Sequence, residues 1–226
     1  MRNVFIGFDQ REAIAYHVCA NSIIRHARKP VAITPLALNM LHGYSETHTD
    51  GSNDFIYSRF LVPHLMGYQG WAVFMDGDML LRADINTLFE LADPTKAVVV
   101  VQHDYKTTSS VKYLGARNQD YPRKNWSSVI LWNCSHPSNQ TLTPEYIQSS
   151  SGSQLHRFGW LRDDEIGALP KVWNWLPDEF GENPDARLLH WTLGTPCFHD
   201  YALSPMASEW HRERIYSTYS AQHQMP

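Results

Sequence analysis

Residues 71–81 read Trp-Ala-Val-Phe-Met-Asp-Gly-Asp-Met-Leu-Leu, which places Asp76 and Asp78 one residue apart between two apolar runs. In extended backbone, residues i and i+2 project to the same side. Both carboxylates can therefore face one space, and Gly77 between them leaves room there for a ligand. With 14 aspartates in 226 residues, chance alone supplies about one Asp-x-Asp triplet, so the spacing by itself carries little. The setting carries more. Two carboxylates that follow an apolar strand and precede Met-Leu-Leu are hard to solvate together, and buried like charges repel unless a cation or a proton neutralises them. A solvated turn is the plainer alternative. On the first reading the pair holds a divalent cation, which completes its shell with substrate phosphate oxygens; a bound diphosphate is the natural partner.

Open α/β sheets bind ligands outside the carboxyl ends of their strands, which is where the pair falls if residues 71–75 form a strand. The rest of the chain supplies such a sheet. Residues 3–8 are a short β-rich run, and Asp9 with Glu12 has the spacing of a capping box. A helix is predicted over residues 12–26, with Ile14, Val18, Asn21 and Ile24 or Arg25 facing inward. Residues 31–38 read as a second strand. Residues 39–53 are polar, aperiodic and carry two glycines, the mark of a long loop with a task, such as a mobile lid. Helical spacing resumes over residues 54–66, and Asp84 caps a further helix. The apolar runs 97–103 and 127–133 read as strands covered on both faces. A short helix is predicted at residues 163–169, a last strand at 186–193 and a polar-aromatic helix from Ser208 that frays towards the end. The alternation predicts an α/β domain over residues 1–203, with a mostly parallel Rossmann-like central sheet flanked by helices. Residues 204–226 form a helical tail, packed on the domain or partly disordered.

The formal net charge is −4 and no long basic run occurs, which argues against a nucleic-acid partner. Cys19, Cys134 and Cys197 are odd in number and far apart, so they read as reduced thiols and not as a disulfide framework. Asp9 follows the first apolar residues too soon for a signal peptide, and no run reaches membrane-spanning length. The expectation is a cytoplasmic protein with at most peripheral membrane contact, in which the Asn-x-Ser/Thr triplets at Asn125, Asn133 and Asn139 are fortuitous.

Residues 55–81 resemble the segment of family 8 type glycosyltransferases in which a Tyr-x-Arg helix leads through a strand to the Asp-x-Asp metal motif. Four further stretches follow in the family's order: residues 4–13 are similar to its first strand and nucleotide-contacting turn, 127–136 to the strand after an Asn-Ala-Gly triplet, 163–177 to the Asp-Gln-Asp helix and Trp-Asn segment, and 188–196 to the C-terminal His-x-x-Gly motif. The resemblance implies a GT-A fold enzyme that transfers a hexose, retaining its anomeric configuration, from a nucleotide sugar such as UDP-glucose or UDP-galactose. The acceptor would be a glycan or a lipid-linked sugar, as in polysaccharide assembly. It implies Asp76, Asp78 and His190 as ligands of Mn²⁺, with Mg²⁺ the alternative. It further implies donor contacts from Phe8, Asp9, Arg11, Arg59, Gly77 and Gly194, and catalytic positions at Asp163 and Asp164 beside the transferred sugar. Trp173 and Trp175 would offer a platform for the acceptor, and front-face attack is the expected course of transfer.

Two features depart from the pattern. No lysine follows Gly194 in the stretch Gly-Thr-Pro-Cys-Phe-His-Asp-Tyr, where His190 and Gly194 also stand one residue further apart than in the motif, and Asn125-Trp126-Ser127-Ser128 stands in place of Asn-Ala-Gly. A different cation, from among Lys106, Arg117 and Lys124, is then expected at the diphosphate. Away from the resemblance, His190, Arg59 and the Asp163–Asp164 pair also read as a core histidine, a surface cation and the acidic first turn of a helix. Two other functions fit the aspartates or the aromatic residues: a metal-dependent nucleotidyltransferase or phosphohydrolase, and a non-catalytic nucleotide-sugar-binding module. The common glycine-rich phosphate loops and the Gly-x-Ser-x-Gly elbow are absent from the sequence.

Overall fold

A computed structural model describes residues 1–107, 109–115, 118 and 120–218. Among the described residues there are eight strands: β1 Arg2–Gly7, β2 Val31–Leu36, β3 Trp71–Met75, β4 Met79–Leu81, β5 Val98–Val100, β6 Val129–Asn133, β7 Ile166–Ala168 and β8 Leu188–His190. Six of them form a sheet in the order β2-β1-β3-β6-β5-β7, and β4 pairs with β8 in a separate two-stranded sheet. β1 runs parallel to β2 and β3, β6 runs antiparallel to β3 and β5, and β7 runs parallel to β5. Five of the six strands thus point one way and β6 points the other, so the sheet is mostly parallel as the sequence pattern predicts. The all-buried runs of β5 and β6 reflect layers on both faces of the sheet.

The helices are α1 Ala13–His26, α2 Val62–Leu65, α3 Ile85–Phe89, α4 Pro144–Ser149, α5 Gly152–His156, α6 Pro177–Phe180 and α7 Ala207–Thr218. On α1 the buried face is Ala15, Val18, Cys19, Ser22 and Ile23, a spacing of three and four carried by small residues. Val18 is buried as predicted, whereas Ile14 and Asn21 are half-buried and Ile24 is 63% exposed, Ser22 and Ile23 taking the inward places. The predicted helix over residues 54–66 is in fact a 3-10 turn at Ser58–Leu61 followed by α2, which begins at Val62 beside Pro63. The predicted helix at 163–169 is a 3-10 turn at Asp163–Glu165 followed directly by β7. The apolar half of that segment pairs with β5, and sheet burial outweighs its helical spacing.

Two apolar cores sandwich the sheet. A third, built on Val18, Leu80, Leu189, Trp191 and Trp210, joins α1, the β4–β8 pair and α7. α7 is clamped to α1 by Glu213, which accepts from Asn21 and Arg25 at 2.6 Å each. Glu12 does not close the predicted capping box. It is buried and accepts from Thr195 Oγ1 at 2.7 Å, tying the start of α1 to the segment after β8. Trp132, Trp173, Trp191 and Trp210 are all fully buried, so half of the eight tryptophans are core residues. Among the described residues, no helix is long and apolar enough to cross a membrane.

Candidate active site

β3 lies in the middle of the sheet and delivers Asp76 at its carboxyl end. The Asp76 N–H donates to Ser128 O at 3.1 Å, which locks the turn to the start of β6. Gly77 then passes so close to β1 that a Cβ would lie 2.5 Å from the Gly7 carbonyl oxygen. Glycine is required there because two backbones meet, a correction to the expectation that it makes room for a ligand. The chain continues into β4, and the pairing of Met79 with His190 brings the histidine beside the aspartates.

Asp76, Asp78 and His190 are 7%, 8% and 2% exposed. One ligand atom from each lies within 4.8 Å of the other two. His190 Nε2 is 3.3 Å from Asp78 Oδ1 and 3.8 Å from Asp76 Oδ2, close to the roughly 3 Å that separates neighbouring oxygen or nitrogen ligands around one small divalent ion. Asp78 Oδ1 is buried without a hydrogen-bond partner. Asp76 Oδ1 is 2.8 Å from Arg59 Nη1, an ion pair set off the hydrogen-bond axis. Two carboxylates and a ring nitrogen with vacant lone pairs converge on one point, and the group fits a divalent cation. Burial pushes the Asp76 carboxyl up, opposed by the Arg59 charge and reinforced by Asp78, so a cation relieves an existing cost.

Arg59 is itself buried. It donates to Ser127 O at 3.0 Å and packs its guanidinium over the rings of Phe55 and Phe74. Beside it opens a cavity of about 440 Å³ lined by Asp76, Arg59, Lys112, Lys124, Ser127 and His156, among others. Lys112 is largely enclosed; burial lowers its ammonium, while Asp78 and Asp76 hold it up. A smaller cavity of about 190 Å³ shares Asn53, Ile56 and Tyr57 with the first and is bordered by Arg11 and Asp54. Asp9 is buried as the cap of the first turn and accepts from the Arg11 side chain and from Asp54 N. Phe8 packs edge-on against Tyr16.

Not every predicted site residue is brought here. Asp163 and Asp164 are exposed, their side chains paired with Arg123 and Arg162, and neither lines the cavity. The acidic first turn of a short helix is the reading their placement matches. Trp173 is fully buried in the core beneath the sheet and cannot present a face to a sugar. Trp175 is half-buried, its Nε1–H given to Gly181 O at 2.9 Å. A Cβ on Gly194 would lie 2.3 Å from the Tyr201 ring, so that glycine serves packing. Among the cations expected at a diphosphate, Lys106 is exposed and outside the cavity lining, Arg117 lies outside the described residues, and Lys124 lines the cavity with its ammonium 2.6 Å from Asn118 Oδ1. Lys112 was not singled out, because a lysine in an irregular polar segment has no periodic signal to mark it.

The chain matches no known protein-family model. It is 43% identical over 219 residues to Protein CDI of Arabidopsis thaliana, covering 93% of this chain and 85% of that protein. The chain belongs to the Protein CDI family. Solved structures give the fold class of this CDI family member. The bifunctional WbbM glycosyltransferase superposes with a TM-score of 0.64 at 16% identity over 95% of this chain and 52% of its own. GlyE of Streptococcus pneumoniae gives 0.63 at 15%, over 95% and 60%. The galactosyltransferase LgtC, in complex with donor and acceptor sugar analogues, gives 0.63 at 13% over 97% and 98% of the two chains. The CDI family chain therefore spans between half and two thirds of the first two structures and nearly all of the third. At these identities the likeness fixes a GT-A fold.

The site also sets a pH response. His156 lies against the cavity, its Nδ1 2.7 Å from Ser127 Oγ and its Nε2 buried without a partner. Burial, with Arg59 and Lys112 nearby, pushes its pKa down to about 3, whereas an unfolded histidine takes a proton near 6.5. Below about pH 6.5 the unfolded chain binds a proton that the folded chain refuses, so stability is lost as pH falls towards 3. Asp76 works in the opposite sense, since its raised carboxyl takes up a proton in the folded state. The contribution of His156 is thus isolated by urea melts of wild type against His156→Gln. The wild type should lose about 1.4 kcal/mol per pH unit relative to the variant between pH 6 and 4; parallel profiles would show that His156 is solvated.

Proposed function

We propose that this protein is a metal-dependent glycosyltransferase that moves a hexose from a nucleotide sugar to a carbohydrate or lipid-linked acceptor with retention, the donor being UDP-glucose or UDP-galactose. The observation that carries the reading is the buried Asp76–Asp78–His190 group at the carboxyl end of the central strand, opening beside a cavity lined by Arg59, Lys112, Lys124 and Arg157. A shared fold with enzymes that bind donor and acceptor sugars supports it. An imidazole added to two carboxylates favours Mn²⁺ over Mg²⁺. The bound ion supplies Lewis acidity against the charge that grows on the departing diphosphate.

The chain's own residues do the rest. Arg59 holds the Asp76 carboxylate in its ligating orientation. Lys112 and Lys124 face the cavity from the segment between β5 and β6 and take the place of the lysine missing after Gly194, meeting the diphosphate oxygens that the ion leaves uncovered. Phe8, Asp9 and Arg11 border the nucleoside end, next to the smaller cavity. Tyr121, 39% exposed on the cavity wall, offers the acceptor a ring in place of the buried Trp173. Asp76 and Asp50 are the carboxylates on that wall. The first is committed to the cluster and to Arg59, and the second accepts from Tyr57 Oη at 2.6 Å, so front-face attack is favoured over a covalent intermediate. The reading goes with a cytoplasmic protein at most peripherally bound to membranes.

Thermal shift with UDP, GDP and CDP sugars, each with and without Mn²⁺, tests the function. Stabilisation by one nucleotide sugar only when metal is present, with slow hydrolysis of that donor, is the expected result. Metal-independent sugar binding would point instead to a binding module. Hydrolysis of phosphoesters with no preference for sugar donors would point to a phosphohydrolase. In the same assay Lys112→Gln should weaken the nucleoside diphosphate by about 10-fold, the worth of one charge-assisted hydrogen bond, without weakening the response to Mn²⁺ alone, since the lost charge repels a cation at the aspartates.

A further inference from the structure

His190 offers Nε2 to the aspartates, and its other ring nitrogen has a partner outside the group. Nδ1 lies 2.9 Å from Asn174 Oδ1. Asn174 is 1% exposed, and its amide is oriented by a second bond, Nδ2 donating to the backbone carbonyl of Asn125 at 3.2 Å. A carbonyl oxygen only accepts, so the amide nitrogen must face Asn125 and the amide oxygen must face His190. An amide oxygen likewise only accepts, so the proton of His190 sits on Nδ1 and the lone pair of Nε2 is turned on Asp76 and Asp78. Asn125 is itself fixed, with φ at 60° in the left-handed region and Nδ2 donating to Tyr105 Oη at 2.6 Å.

We infer that Asn174 is a positioning residue for the metal centre: it sets the tautomer of His190 and, through the backbone of Asn125, couples the histidine ligand to the wall of the substrate cavity. The inference rests on the metal-binding reading of the Asp76–Asp78–His190 group. Without an acceptor at Nδ1, His190 gains by placing its proton on Nε2 and donating it to Asp78 Oδ1, 3.3 Å away. The ligand lone pair is then lost and the vacancy closes as an internal hydrogen bond. With Asn174 accepting from Nδ1–H, the neutral ring keeps its Nε2 lone pair on the two aspartates, where a cation can take it up. The second bond to Asn125 makes the arrangement depend on the 123–128 segment. Asn125 and Ser127 in that segment line the cavity, so a substrate that contacts the segment touches the support of the ligand.

The test is Mn²⁺ binding, followed by calorimetry and by the loss of free-ion electron paramagnetic resonance signal, for the full chain and two variants. Asn174→Leu removes the acceptor and keeps the volume. It should raise the Mn²⁺ Kd by about 10–100-fold, the usual effect of deleting the partner of a ligating histidine. Asn174→Asp keeps an acceptor at Nδ1 and loses the donor to Asn125, so it should bind Mn²⁺ at least as tightly as wild type. A packing role would penalise both variants, and equal losses in the two would overturn the inference, as would a Leu variant with wild-type affinity. If the Leu variant fails to fold, ¹⁵N spectra of the metal-free wild type decide: a proton on Nδ1 of His190 supports the assignment, and an Nδ1 without one refutes it. Wild type that binds no Mn²⁺ at all would instead remove the metal reading beneath it.

Discussion

Asp78→Asn should cost about 10²–10³-fold in metal-dependent turnover of a nucleotide sugar, the scale of losing one preorganised electrostatic contact in a transition state, and yet yield a metal-free protein that melts higher than wild type. The two effects share a cause. Asp76 and Asp78 are buried against each other, and the charge on Asp78 is one of the influences that push the Asp76 carboxyl up. Asparagine keeps the shape and removes the repulsion between the two charges. The gain should be about 1 kcal/mol, or roughly 2–4 °C in a chain of this size. Mn²⁺ then adds little further stability, because the ion loses a charged ligand. Calorimetric melts with and without Mn²⁺, alongside donor hydrolysis, check both halves; a variant that stays active, or one that melts lower without metal, contradicts the account of the site as a strained pair awaiting a cation.

Arg59→Met acts in the opposite direction and harder. Arg59 is 4% exposed and lies 2.8 Å from Asp76 Oδ1. Methionine fills most of its stem volume against Phe55 and Phe74 but leaves a buried carboxylate without its cation and Ser127 O without its donor. Breaking one side of a buried ion pair usually costs about 3–5 kcal/mol. Urea unfolding of the metal-free variant should show that loss in the midpoint with an unchanged slope. Mn²⁺ should restore more stability to Arg59→Met than to wild type, since the ion then supplies the compensation that the guanidinium no longer gives. Equal metal responses would mean that Arg59 and the ion do not act on the same charge.

What could be read from the sequence follows from which signals are local. The carboxylates after β3 announce themselves, because an apolar strand that ends in two charges is an anomaly within a few residues. The cap at Asp84 and the strands β3 and β6 are local too, and they stand where the pattern puts them. His190 needed the order of motifs along the chain, since a histidine after Leu-Leu is otherwise unremarked, and only the pairing of β8 with β4 brings it to Asp78. Asn174 and Lys112 carry no local signal. One is a polar residue between two tryptophans, the other a lysine in a segment without periodicity, and each acquires meaning from a partner far away in the chain. Asp163 and Asp164 misled for the reverse reason, being a strong local pattern that the fold turns outward to Arg123 and Arg162. Glu12 shows the same limit in miniature: its spacing from Asp9 suggests a cap, and its actual partner, Thr195, lies at the other end of the domain.

The division of the strands between two sheets has a bearing on how the protein is made. All six strands of the large sheet lie within residues 2–168, so a ribosome-bound chain can assemble it before the last quarter has emerged. The histidine arrives later, on a strand that joins none of those six and is seated by α1 and α7. Until that strand docks, the two acids face each other alone, and a free divalent ion finds only half a coordination shell. An unfinished chain thus lacks the third member of the Asp76–Asp78–His190 group until β8 has emerged to pair with β4.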